Sequence, residues 1–132
     1  MATIEVTKDN IDEIVTKNPL VILDFWADWC GPCKSFAPAF EAASDKHPDV
    51  VFGKVNTEEQ QELAAQFQIR SIPNLTVFRE QIILFSQAGA LPASALDSVI
   101  EQAKALDMDK VRAEIAQSEV QRDRKSTRLK SS

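Results

Sequence analysis

With 132 residues, 44% of them hydrophobic and 27% charged, the chain is long enough for one domain with a buried core and has the composition of an ordinary globular protein. Its formal net charge of −5 hides an asymmetry: residues 121–132 hold Arg122, Arg124, Lys125, Arg128 and Lys130 against Asp123 alone, so the body is acidic, which argues against nucleic acid as its ligand. No apolar run approaches membrane-spanning length, Met1 to Glu5 lacks the basic-then-apolar pattern of a secretion signal, and two cysteines suit a reactive pair better than a staple, so the expected setting is the cytoplasm, away from membranes.

In chain order, residues 4–6 read as a short strand. Residues 9–17 read as a helix with Ile11, Ile14 and Val15 on one face and an acidic first turn, broken by Asn18-Pro19. Leu20, Val21, Ile22, Leu23, Phe25 and Trp26 then form an apolar run interrupted only by Asp24. Hydrophobic residues at consecutive positions suggest a strand covered on both faces, as in the middle of a parallel sheet. Pro32 opens a helix over 33–46, with Phe36, Phe40 and Ala43 at helical spacing. Proline suits a first turn, whose N–H groups are unpaired anyway, but Pro38 inside the helix should kink it.

After a turn at His47-Pro48-Asp49, residues 50–56 read as the next strand. Thr57 and Gln60 have the spacing of a capping box for a helix reaching about residue 67. Ser71-Ile72-Pro73 is a loop. Strands over 75–78 and 82–85 flank Arg79-Glu80-Gln81, a gap that fits only a tight antiparallel hairpin, though with no glycine to name its turn type. Pro92 starts a helix to 106, with Leu96, Val99, Ile100, Ala103 and Leu106 on one face. The order βαβαβαββα implies an α/β fold, a mixed sheet with helices on both faces. Beyond the domain of residues 1–106, Asp107 can cap an amphipathic helix over 107–120 with Met108, Val111 and Ile115 in a stripe, expected to dock on the domain. Residues 121–132 have almost nothing to bury and are expected to be a disordered, inert tail.

The cysteines define the chemistry. Cys30 stands where a buried strand hands over to a helix N-terminus, whose unpaired N–H groups and partial positive charge favour a thiolate, the nucleophile of disulfide exchange. Cys33, one turn inside, is close enough to form a disulfide with it, and Cys30 is expected to be the more exposed and more acidic of the two. A zinc site is the weaker alternative: such sites want four Cys or His ligands, and His47 is the sole further candidate. Asp24 is a carboxylate inside an apolar strand, where burial raises the pKa and suits proton transfer near neutral pH.

The block Trp29-Cys30-Gly31-Pro32-Cys33-Lys34 resembles the active site of the thioredoxin family, the same family that general reading assigns to C-x-x-C beside a βαβ pattern. Asp24-Phe25-Trp26-Ala27, Ile69-Arg70-Ser71-Ile72-Pro73 and Gly89-Ala90-Leu91 resemble it too, in its order, over roughly residues 3–106. The resemblance implies the thioredoxin fold and a cytoplasmic, monomeric protein-disulfide reductase. Cys30 would attack a substrate disulfide and Cys33 would resolve the mixed disulfide. Asp24, buried behind the pair with Lys54 nearby, would accept the proton. A cis Pro73 would face the cysteines, and the Ile72 backbone would pair with an extended substrate segment, a strand-addition mode. Trp29, Gly31, Pro32, Gly89 and Ala90 would complete an apolar docking surface, with Gly31 and Pro32 also tuning the redox poise. No bound cofactor is implied; a flavin-dependent thioredoxin reductase using NADPH would re-reduce the pair. Two rival readings share the fold. An oxidase or isomerase is disfavoured because Gly-Pro between the cysteines resembles the reducing members. A non-catalytic interaction module, a chaperone partner or enzyme subunit, would have the helix after Leu106 as its signature.

Overall fold

β2 (Leu20–Trp26) lies at the centre of a five-stranded sheet in the computed structural model, which describes the backbone of residues 2–131 and the side chains of residues 2–121. On one side it pairs in parallel with β3 (Val51–Asn56), which pairs in parallel with β1 (Thr3–Glu5). On the other it runs antiparallel to β4 (Asn74–Arg79), which forms a hairpin with β5 (Ile82–Ala88). The sheet order is therefore β1-β3-β2-β4-β5.

The consecutive apolar residues of β2 are explained by cover on both faces. Leu20 and Ile22 pack with Phe36 and Phe40 of α2 (Gly31–Lys46) and with Leu96 and Ile100 of α4 (Ala93–Ala105). Val21, Leu23 and Phe25 face the other way, onto Ile11 of α1 (Ile11–Lys17) and Leu63 of α3 (Gln61–Gln66). The strand period of two sends alternate residues into two separate cores. At Gly53 of β3 the layers approach so closely that an added Cβ would run into Val6 and stand 2.9 Å from Leu23 Cδ2.

Three local expectations change. α2 begins at Gly31, two residues early, because Cys30 itself serves as the N-cap; the helix then continues through Pro38. The capping box does not form. Thr57 Oγ1 donates to Trp26 O over 3.1 Å, Gln60 Oε1 accepts from Lys8 N over 3.0 Å, and α3 starts only at Gln61. Both side chains find partners in distant segments, which a local motif does not register. The β4–β5 turn is a two-residue loop, with Glu80 at φ 51° and Gln81 at φ 71° between the paired Arg79 and Ile82. Positive φ at both positions matches the mirror-image turn whose twist suits a hairpin, here without the usual glycine or asparagine. Glu80 is instead held by its surroundings: its N–H donates to Pro19 O over 2.8 Å and its carboxylate accepts from Arg112 over 2.8 Å.

Arg112 belongs to α5 (Met108–Ser131). Asp107 caps this helix through Oδ1, accepting from Asp109 N and Lys110 N at 3.1 and 3.3 Å, and Met108 is buried. Arg79 Nη1 reaches the carbonyls of Ala103, Lys104 and Leu106 at 2.7, 2.9 and 2.8 Å, closing the end of α4 against the sheet. The start of α5 thus docks on the domain. Its helical backbone runs on to Ser131, through a stretch that has no proline or glycine and is rich in Arg and Lys, which helices accept. The side chains of 122–132 lie outside the described residues.

Candidate active site

At the C-terminal end of β2 the chain turns through Ala27, Asp28 and Trp29, and Cys30 N donates to Ala27 O over 3.2 Å. Cys30 takes extended torsions (φ −90°, ψ 107°) as N-cap of α2, with Pro32 in the first turn. Its Sγ accepts from Cys33 N over 3.2 Å, so the sulfur occupies the place an Asp or Ser oxygen takes in an ordinary cap. Cys30 and Cys33 are joined in a disulfide with their Cα atoms 5.2 Å apart. They are almost equally covered, at 4% and 3% exposure, so the expected difference in exposure is not seen in the oxidised form. What separates them is helix position: only Cys30 receives a helix N–H on sulfur. His47, the other residue of zinc-ligand type, closes the far end of α2. There its Nε2 lies 3.4 Å from Asp97 Oδ1 and its Nδ1 lies 3.0 Å from Lys104 Nζ.

Asp24 sits on the face of β2 shared with Ile22, the face covered by α2, whose first turn holds Cys33. It is fully buried, and neither carboxylate oxygen has a hydrogen-bond partner. Loss of hydration pushes its pKa up from 3.8 to about 7, with the attraction of Lys54 pulling the other way. Lys54 is the residue directly across from Asp24 in the β2–β3 ladder. Its Nζ stands 5.2 Å from the centre of the Trp26 ring, whose own buried Nε1 is without a partner. Trp26, the last residue of β2, is half-buried and, with Lys54, Asp28 and Asn56, lines an open cleft of about 420 Å³. A carboxyl with a pKa of about 7 and the lysine paired with it across the ladder thus share one face of the sheet.

The third group comes from the loop before β4. The Ile72–Pro73 peptide is cis, and Ile72 O lies 3.7 Å from Cys30 Sγ. Ala27, Cys30, Cys33, Trp26 and Ile72 form one packed cluster. Gly89 N donates to Pro73 O over 2.8 Å, and Gly89 adopts φ 107°, a conformation that an L side chain would strain. Gly31, Pro32, Gly89 and Ala90 are all exposed, and Trp29 is 70% exposed. Trp29 is nonetheless held: its Nε1 donates to Glu58 Oε1 over 2.6 Å. Nothing in the sequence marks Glu58, an acid in a loop twenty-nine residues from Trp29; only the folded chain brings the two together.

The family model described as Thioredoxin matches residues 2–102. A putative thioredoxin 2 from Streptomyces coelicolor is 55% identical over 120 residues, covering 91% of this chain and 90% of that protein. Thioredoxin C-3 from Corynebacterium nephridii is 37% identical over 100 residues, covering 75% and 69%. Among solved structures, Plasmodium falciparum thioredoxin superposes with a TM-score of 0.70 at 37% identity, covering 76% of this chain and 97% of that one. A mutant thioredoxin from Halobacterium salinarum gives a TM-score of 0.75 at 29% identity, covering 80% and 93%. The architecture is the thioredoxin fold. The alignment with the Streptomyces protein is too long to end at residue 102 and must continue into α5.

Proposed function

This chain belongs to the thioredoxin family, and from that premise we propose how its residues divide the work of thiol–disulfide exchange. It is a thiol–disulfide reductase whose redox group is the Cys30–Cys33 pair. Members of the family act on protein disulfides with no bound cofactor.

In the reduced protein Cys30, at the N-terminus of α2, is the thiolate. It attacks one sulfur of a substrate disulfide, forms a mixed disulfide and expels the other substrate sulfur as a thiolate. Cys33 then gives its proton to the Asp24 carboxylate and attacks Cys30 Sγ. The second substrate thiolate leaves, the Cys30–Cys33 disulfide closes, and two electrons have passed to the substrate. A pKa about 7 suits Asp24 to this task, since it takes and returns a proton near neutral pH. Lys54 offsets the carboxylate charge while Asp24 is ionised. Substrate docks along Ile72 and Pro73 by strand addition and against Trp29, Gly31, Pro32, Gly89 and Ala90. Gly31 and Pro32 also tune the pair toward reduction. Re-reduction draws on NADPH through a flavin-dependent thioredoxin reductase, and the protein works as a cytoplasmic monomer. Among the described residues no helix is long and apolar enough to cross a membrane.

The observation that carries the assignment is Cys30 Sγ as the cap of α2, accepting Cys33 N–H with Ile72 O beside it. The test is trapping. Cys33→Ser should accumulate mixed disulfides with protein substrates through Cys30, whereas Cys30→Ser should accumulate none. The reverse pattern would overturn the assignment. Both cysteines are present and joined, and no observation favours the docking-module reading.

A further inference from the structure

An indole that is 70% exposed has little packing to fix its two side-chain torsions, yet the Trp29 ring is tethered to Glu58 by a 2.6 Å hydrogen bond. The acceptor is offered from a braced loop between β3 and α3. Thr57 N and Oγ1 donate to Trp26 O over 2.9 and 3.1 Å, tying the loop to the end of β2. Asn56 Oδ1 accepts from Glu58 N and Glu59 N at 2.9 and 3.4 Å, and Gln61 Nε2 donates to Glu58 O over 3.2 Å. An N–H donated to a carboxylate is among the stronger hydrogen bonds, and here it spans from a fixed backbone to the residue directly before Cys30.

We propose that Glu58 is a positioning residue of the reductase. It holds the Trp29 indole in one orientation beside Cys30, so that the docking face meets a substrate protein already ordered. An exposed ring left free would have to be ordered on binding, at an entropic cost to affinity. The proposal rests on the reading of Trp29 as part of the docking surface. It also gives Glu58 a selective effect. Protein disulfides, which dock against the indole, depend on the tether. A small disulfide, which needs only to reach Cys30, does not.

The test compares insulin, as the protein disulfide, with oxidised glutathione. Glu58→Ala should lower kcat/KM on insulin by about three- to tenfold, the scale of one exposed, charge-assisted hydrogen bond, and should do so through KM. Its rate on oxidised glutathione should match wild type. Glu58→Gln, which keeps an acceptor oxygen at the same reach, should recover most of the loss. In Trp29→Phe, which lacks the N–H, adding Glu58→Ala should change nothing further. The chain has two tryptophans, so in Trp26→Phe the remaining emission reports Trp29, and its anisotropy should fall when Glu58→Ala is added. Equal losses on both disulfides, no loss on either, or a full further loss in the Trp29→Phe background would each overturn the proposal. If Trp29→Ala slows insulin reduction and Glu58→Ala does not, the role of Glu58 alone falls. If Trp29→Ala reduces insulin at the wild-type rate, the docking role of Trp29 falls and this proposal falls with it.

Discussion

Asp24→Asn removes a buried charge and leaves the shape of the site almost unchanged, so its effect can be worked out from the burial of one side chain. Folding carries this carboxyl from a pKa of 3.8 to about 7. Below the unfolded value the group is protonated in both states and no charge is buried. As pH rises from 3.8 toward 7, the unfolded chain gives up its proton readily and the folded one does not, so stability falls across that window and stays lowered above it. Each pKa unit is worth about 1.36 kcal/mol, so the full penalty has a ceiling of about 4 kcal/mol. That ceiling is the penalty left after the attraction of Lys54, which already offsets part of the desolvation. Asparagine carries no charge to bury, although its amide inherits a site where neither oxygen of Asp24 finds a partner. Denaturant unfolding of the oxidised proteins should therefore give similar stabilities near pH 3, and near pH 8 the variant should be more stable by about 2–4 kcal/mol. The same variant should slow resolution of the mixed disulfide by about tenfold or more, because the proposed proton acceptor for Cys33 is gone. Formation of the mixed disulfide by Cys30 should suffer less. Stability curves for the two proteins that run parallel from about pH 3 to about pH 8 would refute the reasoning, since they would mean that Asp24 is not ionising from a buried site.

Lys54→Met removes an attraction that lowers the Asp24 pKa, so the pH window over which stability falls should extend above about 7, as read by unfolding at a series of pH values. Gly53→Ala places a methyl group against Val6 and Leu23, and should cost about 1–3 kcal/mol in denaturant unfolding. Truncation after Leu106 removes the buried Met108, and should cost about 1–3 kcal/mol, whereas truncation after Gln121 keeps Met108 and the Arg112–Glu80 contact and should leave the melting temperature unchanged.

The elements legible in the sequence are those whose pattern is set by burial. The apolar run of β2 needs cover on both faces, and α2 with α4 and α1 with α3 supply it. Asp24 stands out for the same reason: a carboxylate amid Leu23, Phe25 and Trp26 has to be buried. What is not legible depends on partners far along the chain. Thr57 and Gln60 have capping-box spacing, but Trp26 O and Lys8 N claim their side chains. Glu80 and Gln81 hold positive φ without glycine because Pro19 O and Arg112 fix the turn from outside it. Glu58 is one of two adjacent acids in its loop, and only the fold brings it to the Trp29 indole N–H.

The central claim is that Cys30 and Cys33 form a reducing pair, and the most direct measurement is the redox equilibrium of that pair against glutathione buffers. A midpoint near the value typical of thioredoxins, about −270 mV, is the expected result. A midpoint near about −180 mV or above, the range of isomerases and oxidases on this fold, would contradict it.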